Sequence, residues 1–135
     1  MVVDDIMTPD PLVVEASTPV REVMDRLFES DVRHLPVVDD HELVGIVSDR
    51  DLREFTAPAL AGVEGGAELL ARLAAPISKV MSGDVMSVAP EADLGDVIDL
   101  MIDQKVGAVP VVSEGRLVGI VSYIDVLRAA RDTLA

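Results

Sequence analysis

Two hydrophobic periods alternate along this chain, and the whole order of them is played twice. Leu12-Val13-Val14 reads as a short strand. Val20, Val23, Met24, Leu27 and Phe28 then fall at the spacing of one helix face, with Arg21, Glu22, Asp25, Arg26 and Glu29 on the wet side. Thr18 as N-cap, Pro19 at the first helical position and Glu22 in the first turn mark where that helix begins. Leu35-Pro36-Val37-Val38 and Leu43 to Val47 read as strands joined by the polar turn Asp39-Asp40-His41-Glu42. The second is nearly all apolar, which predicts cover on both its faces. A helix from Asp49 to about Phe55 completes the first pass.

The second pass predicts a strand over Val85 to Val88 and a helix face of Leu94, Val97, Ile98, Met101 and Ile102. Val109 to Val112 and Leu117 to Val121 pair across Ser113-Glu114-Gly115-Arg116, and Tyr123 to about Asp132 is the last helix. Between the passes, Thr56 to Gly66 holds Pro58, Gly62, Gly65 and Gly66 and reads as a loop or broken helix. Ala67 to Ala75 has helical leucine spacing, and Pro76 stops it. Each pass is β-α-β-β-α in outline, which predicts an α/β (α+β) fold of two repeats packed with pseudo-twofold symmetry. The predicted divisions are 1–55 for repeat one, 56–76 for the connector and 77–135 for repeat two.

The two passes are copies in strict register. Ser48 and Ser122 are 74 residues apart, and that shift pairs Met7 with Met81, Asp10 with Asp84, Val23 with Val97 and Val32 with Val106. It also superposes Pro36-Val37-Val38 on Pro110-Val111-Val112, with no gap. Ungapped identity at so long a period means duplication of one supersecondary unit. One repeat of about 50 residues would be marginal alone, so the halves are expected to share burial.

Composition narrows the function. The core must be aliphatic, since the chain has no tryptophan, one tyrosine and two phenylalanines. A net charge of −14 speaks against nucleic acid, which needs clustered Lys and Arg, and against an anionic membrane surface. It suits a self-repelling surface or, as a sharper reading, a high-salt host. The absence of cysteine excludes disulfides, thiol catalysis and zinc–thiolate sites. The start, Met1-Val2-Val3-Asp4-Asp5, lacks the features of a secretory signal, so a cytoplasmic location is expected. His34 and His41 form no set with a nucleophile, no metal-ligand spacing occurs, and Gly62, Gly65 and Gly66 lack the Lys-Ser/Thr of a phosphate loop. The chain is not expected to be an enzyme.

Each copy ends its apolar strand in Ser-x-x-Asp, Ser48 to Asp51 and Ser122 to Asp125. Locally this is the pattern of a capping box, in which the serine caps the helix and the acid reaches back. A carboxylate at a helix mouth can also accept hydrogen bonds from both hydroxyls of a ribose. The local pattern alone leaves both open.

In its lead-in Asp5-Ile6-Met7-Thr8, in Arg33-His34-Leu35-Pro36-Val37-Val38-Asp39, in Leu43 to Asp51 and in the matching segments of the second copy, the chain resembles a tandem pair of cystathionine-β-synthase (CBS) domains, a Bateman module. The resemblance covers residues 3–133 apart from 53–76. It implies a regulatory module, with no required cofactor, that binds AMP, ADP or ATP, with S-adenosylmethionine or a dinucleotide as further possibilities, in clefts between the repeats. It also implies a homodimer and a regulated protein partner whose identity the sequence does not give. The alternative is a structural dimerisation module with empty or degenerate clefts.

Carried over residue by residue, the resemblance puts Ser122 and Asp125, and Ser48 and Asp51, against ribose and phosphate. It completes the Asp125 cleft with Val14, Thr18, Val32, Arg33 and His34, and the Asp51 cleft with Val88, Ala92, Val106, Gly107 and Ala108. Arg33 and His34 stand where relatives often place phosphate-binding cations. Read plainly, Arg33 is equally a solvated charge and His34 a packing residue. Arg50 is the local cation beside Asp51, and Ile124 takes its place in repeat two. The clefts are therefore expected to be unequal, with the Asp125 cleft the tighter.

Overall fold

The computed structural model describes residues 1–62 and 66–134; Gly65 of the expected connecting loop lies outside them, as do Val63, Glu64 and Ala135. The described residues form a mixed α+β fold of two small sheets and five α-helices. In chain order these are β1 (Thr8–Pro9), β2 (Val14–Glu15), α1 (Val20–Ser30), β3 (His34–Asp39), β4 (Glu42–Ser48), α2 (Asp49–Leu60), α3 (Ala67–Ala74), α4 (Leu94–Gln104), β5 (Ala108–Ser113), β6 (Arg116–Ser122) and α5 (Tyr123–Leu134).

The chain divides into two compact units, and the cuts do not fall between the repeats. One unit is Leu12–Asp84; the other is Met1–Pro11 with Val85–Ala135. In the first, β2 runs parallel to β3, and β3 pairs antiparallel with β4. In the second, β1 pairs antiparallel with β6, which pairs antiparallel with β5. A single bridge supplies the missing edge in each: Ile46 with Ser82, and Val88 with Val111. The shift of 74 thus holds down to individual pairings, including the bulge after Val37 and after Val111.

Each lead-in is packed in the unit built from the other repeat. Val3, fully buried, joins Val97, Val109, Val111 and Val121. Ile77, its counterpart, is fully buried with Val14, Val20, Leu35 and Val47. The backbone repeats the exchange: the Val3 and Asp4 N–H groups donate to Ala92 and Pro90 carbonyls, each at 2.9 Å, and those of Ile77 and Ser78 donate to Thr18 and Ala16 at 2.8 and 3.1 Å. A glycine makes room for each lead-in methionine. A methyl group at Gly119 would meet Met7 Sδ at 2.5 Å, and one at Gly45 would meet Met81 Sδ at 2.5 Å.

Several elements differ from expectation, each for a local reason. The first strand is Val14–Glu15 and not 12–14. The predicted strand over 85–88 reduces to one bridge at Val88, whose N–H and C=O bond to Pro110 and Val112 at 3.1 and 2.8 Å; Met86 beside it is exposed. Helix α1 begins one residue late. Pro19 is its N-cap, and Thr18 is held by its backbone in a turn to Glu15 and a bond from Ile77. Helix α2 runs past Phe55 to Leu60 with Pro58 inside it. Its buried face of Leu52, Thr56 and Ala59 holds it, and the Arg72 guanidinium ties it to α3 by donating to the Phe55 carbonyl at 2.7 Å, one residue past the Glu54 carbonyl that Pro58 leaves without an N–H. On α1 the apolar face is narrower than predicted: Val20, Val23 and Leu27 are buried, but Phe28 is 90% exposed. Its counterpart on α4, Ile102, is 66% exposed.

Candidate functional site

Two helix mouths carry the repeated Ser-x-x-Asp. At the first, Ser48 ends β4 in an extended conformation and caps α2: the Asp51 N–H donates to Ser48 Oγ at 3.0 Å, and the Ser48 N–H donates to Asp51 Oδ2 at 2.9 Å. At the second, the Asp125 N–H donates to Ser122 Oγ at 3.2 Å, and the Ser122 N–H and hydroxyl donate to Asp125 Oδ2 at 2.9 and 3.1 Å. Both capping boxes are complete. The question the sequence left open is answered on the capping side for one oxygen of each acid.

The other oxygen is differently placed. A carboxylate offers about four acceptor sites, and the boxes use one or two on Oδ2. Among the described residues Asp51 Oδ1 has no hydrogen-bond partner in its unit, while Asp125 Oδ1 accepts from the Thr8 hydroxyl at a long 3.4 Å. Both acids and both serines are half-buried. Each box therefore fixes a carboxylate in one orientation through Oδ2 and leaves acceptor capacity on Oδ1.

The antiparallel hairpins decide which other candidates join each mouth. The start of β3 lies beside the end of β4, so His34 is directly opposite Ser48. The Arg33 carbonyl accepts from the Asp49 N–H at 3.0 Å. Arg33 and His34, expected at the Asp125 cleft, stand within their own unit at the mouth of Asp51. The equivalents are Ala108 opposite Ser122, and the Gly107 carbonyl accepting from the Tyr123 N–H at 3.1 Å. The signal was present in the sequence: a tight antiparallel hairpin over 35–47 brings the start of its first strand to the end of its second, and the bulge after Val37 sets the partner of His34 at Ser48.

Burial pushes the His34 imidazole below its ordinary pKa; the Asp51 charge pulls it back up, and Arg33 adds to the lowering. Arg33 is exposed and makes no ion pair among the described residues. Arg50 is engaged by Glu54 at 3.0 Å, with its side chain 80% exposed. Val32 and Val106, each 41% exposed, flank the two mouths as apolar surface. Val14 and Ala108 are core residues, at 1% and 6%, and can offer a ligand little beyond backbone. Thr18, Val88, Ala92 and Gly107 are half-buried.

The family model of the CBS domain matches residues 3–57 and again 77–132. The chain belongs to the CBS domain family. This CBS pair is 34% identical over 151 residues to the chloroplastic CBS domain-containing protein CBSX2 of Arabidopsis thaliana, covering 95% of this chain and 63% of that protein. It is 26% identical over 130 residues to the uncharacterized protein MJ1225 of Methanocaldococcus jannaschii, with 91% of this chain aligned; the chain spans only 46% of that relative's length. The crystal structure of CBSX2 in complex with AMP aligns with a TM-score of 0.82 and 32% identity, over 99% of this chain and 98% of that one. The CBS pair of MJ0100 in complex with 5′-methylthioadenosine and S-adenosyl-L-methionine gives a TM-score of 0.81 and 27% identity, over 98% of both chains. The fold of the pair and its likeness to proteins that hold adenosine compounds are thus established. No helix among the described residues is long and apolar enough to cross a membrane.

Proposed function

We propose that this CBS pair is a regulatory module that binds adenosine-containing nucleotides of the AMP, ADP or ATP class. Asp51 and Asp125 each grip the hydroxyls of a ribose, and occupancy is passed on through a homodimer or a protein partner. The observation that carries the reading is the orientation of the two acids. Each carboxylate is locked by its own helix mouth through Oδ2, while the second oxygen has no partner among the described residues at Asp51 and only the long bond from Thr8 at Asp125. A prepositioned charged acceptor loses little freedom on binding. The AMP bound to CBSX2 and the adenosine compounds bound to MJ0100 support the ligand class. The chemistry of the site is binding; it assembles no nucleophile with a base, and we read it as non-catalytic.

A second reading is favoured by the same hydrogen bonds. Complete capping boxes are what a purely structural Ser-x-x-Asp would show, and an exposed Phe28 suits a dimerisation scaffold with no ligand. Asn in place of Asp separates the two, because its carbonyl oxygen still accepts from the serine N–H but carries no charge. We expect calorimetry with AMP, ADP, ATP and S-adenosylmethionine to give saturable binding to the wild-type protein. Affinity should fall roughly ten- to a hundredfold at the mouth changed by Asp51→Asn or Asp125→Asn. A flat titration with all four compounds leaves the scaffold.

A further inference from the structure

The two mouths are built alike in backbone and differently in side chain. Both have the capping box, the strand-end pairing and the carbonyl that receives the second residue of the motif, all at matching positions. The backbone frame around the two acids is therefore the same. Asp49 stands against Tyr123, and three further differences concern basic residues. Arg33, His34 and Arg50 at one mouth stand against Gly107, Ala108 and Ile124 at the other.

We infer that the mouths take ligands of different charge: Ser48–Asp51 a phosphorylated adenosine, with Arg33 and His34 facing its phosphate, and Ser122–Asp125 an adenosine derivative that carries no phosphate. The inference rests on the ribose reading above and adds to it which charge each mouth accepts. A phosphate ester brings a charge of about −1.5 to −2 and needs donors in contact. At the Asp51 mouth Arg33 is free to supply them, and His34 lies across the ladder from Ser48. Arg50 is held by Glu54, and Asp49 is held by Arg53 at 3.3 Å, so neither decides the balance. At the Asp125 mouth a phosphate would meet the acid itself, the Thr8 hydroxyl, and the half-exposed side chains of Tyr123 and Ile124.

Besides Asp49, which Arg53 holds, one pair of charges runs the other way. Lys105 and its counterpart Asp31 hold equivalent left-handed positions at the ends of α4 and α1. Both are exposed, and a charge screened by water weighs less than a cation in contact. Arg33 and His34 therefore set the preference.

The test uses the full chain, with AMP as the phosphorylated probe and adenosine as the uncharged one, by calorimetry on six proteins. These are wild type, Arg33→Ala/His34→Ala, Asp51→Asn, Asp125→Asn, the double variant Asp51→Asn/Asp125→Asn, and Lys105→Ala. Expected is one AMP site per chain, lost in Asp51→Asn, kept in Asp125→Asn and Lys105→Ala, and weakened roughly ten- to a hundredfold in Arg33→Ala/His34→Ala. Adenosine should bind that last variant within about twofold of wild type, which also shows it folded. Adenosine binding that survives Asp51→Asn and disappears when Asp125→Asn is added completes the pattern. AMP affinity unchanged by the loss of Arg33 and His34, or AMP lost in Asp125→Asn or Lys105→Ala, overturns the inference while leaving ribose binding intact. Failure of both probes on wild type, or indifference of both to both Asp variants, overturns the ribose reading and this inference with it.

Discussion

Met81 Sδ lies where a side chain at position 45 would have to go. A methyl group on Gly45 would meet that sulfur at 2.5 Å and the Ser82 carbonyl oxygen at 2.9 Å. The sulfur could swing aside. The carbonyl could not, because it accepts from the Ile46 N–H at 3.1 Å and so forms the bridge that ties the lead-in to β4. Gly45 is thus the condition for packing the second lead-in against the first repeat's strand, as Gly119 is for the first lead-in against β6.

Gly45→Ala is expected to destabilise the protein by about 1–3 kcal/mol, the usual range for overpacking a close contact. Gly119→Ala should cost a similar amount, since its methyl would meet Met7 Sδ at 2.5 Å and the Thr8 carbonyl oxygen at 3.0 Å. Adding Met81→Ala to Gly45→Ala should recover only part of the loss, because the backbone contact stays. Urea unfolding of the three variants decides this. A Gly45→Ala protein as stable as wild type would mean that the lead-in is not seated as described.

These glycines also show what the sequence could and could not disclose. The duplication, the hairpin strands, the amphipathic helices and the two acids were all legible, because period and register are local properties of the chain. Which unit receives each lead-in was not. Residues 3–8 look the same whichever core they enter, and the one hint was a glycine in the middle of an apolar strand, a usual sign of close backbone approach. The exposure of Phe28 was hidden for a related reason. Helical spacing reports that five apolar residues share a face but not how far the partner surface extends, and here it ends at Leu27. The run of α2 through Pro58 escaped local reading because a buried face and the bond from Arg72 support it from outside the segment.

The turn between β3 and β4 carries a strain that its twin avoids. Asp40 and His41 have φ of 50° and 70°, while the second hairpin places Glu114 and Gly115 at 51° and 78°. A side chain in the left-handed region costs roughly 1–2 kcal/mol that glycine does not incur, and glycine's extra freedom when unfolded returns roughly 0.5–1 kcal/mol of that. His41→Gly should therefore raise stability by up to about 1 kcal/mol, and Gly115→His should lower it. Thermal unfolding of the pair would show opposite shifts in Tm; equal shifts would refute the strain.

His34 makes stability depend on pH in a direction fixed by its environment. Its imidazole titrates below the ordinary value of 6.5 when folded, chiefly through burial, with Asp51 opposing and Arg33 assisting. In the window just below 6.5 the unfolded chain binds more protons there than the folded one, so stability rises with pH across it. This contribution is fully present above 6.5 and is lost as pH falls toward the folded value. The carboxylates titrate as well, so the informative quantity is the difference between wild type and His34→Gln. That difference should shrink as pH falls from 7.5 to 5.5 in denaturant titrations, and a difference independent of pH would contradict the assignment.

Capping and ligand binding can be pulled apart at one mouth. Ser122→Ala removes the oxygen that receives the Asp125 N–H, and should cost about 0.5–2 kcal/mol in stability. Asp125→Asn keeps an acceptor for the Ser122 N–H and should cost less, while removing the charge that a ribose would meet. The expected pattern is crossed: the serine variant loses more stability, the acid variant more affinity. If affinity instead tracked stability across both, the acid would be acting only through its helix.

Phe28 tests the proposed homodimer. A phenylalanine that is 90% exposed contributes almost nothing to the core of its own unit, and neither does Ile102 at 66%. Both repeats keep a large apolar residue at this position, on α1 and on α4, where its own core does not enclose it. Phe28→Glu with Ile102→Glu adds charge there without emptying either core. If these side chains meet a second copy, light scattering should give wild type twice the mass of one chain and the variant the mass of one. The unfolding of wild type should then depend on protein concentration, and that of the variant should not. A variant that keeps the wild-type mass would exclude these two residues from the interface, and a wild-type protein with the mass of a single chain would remove the dimer from the proposed function altogether.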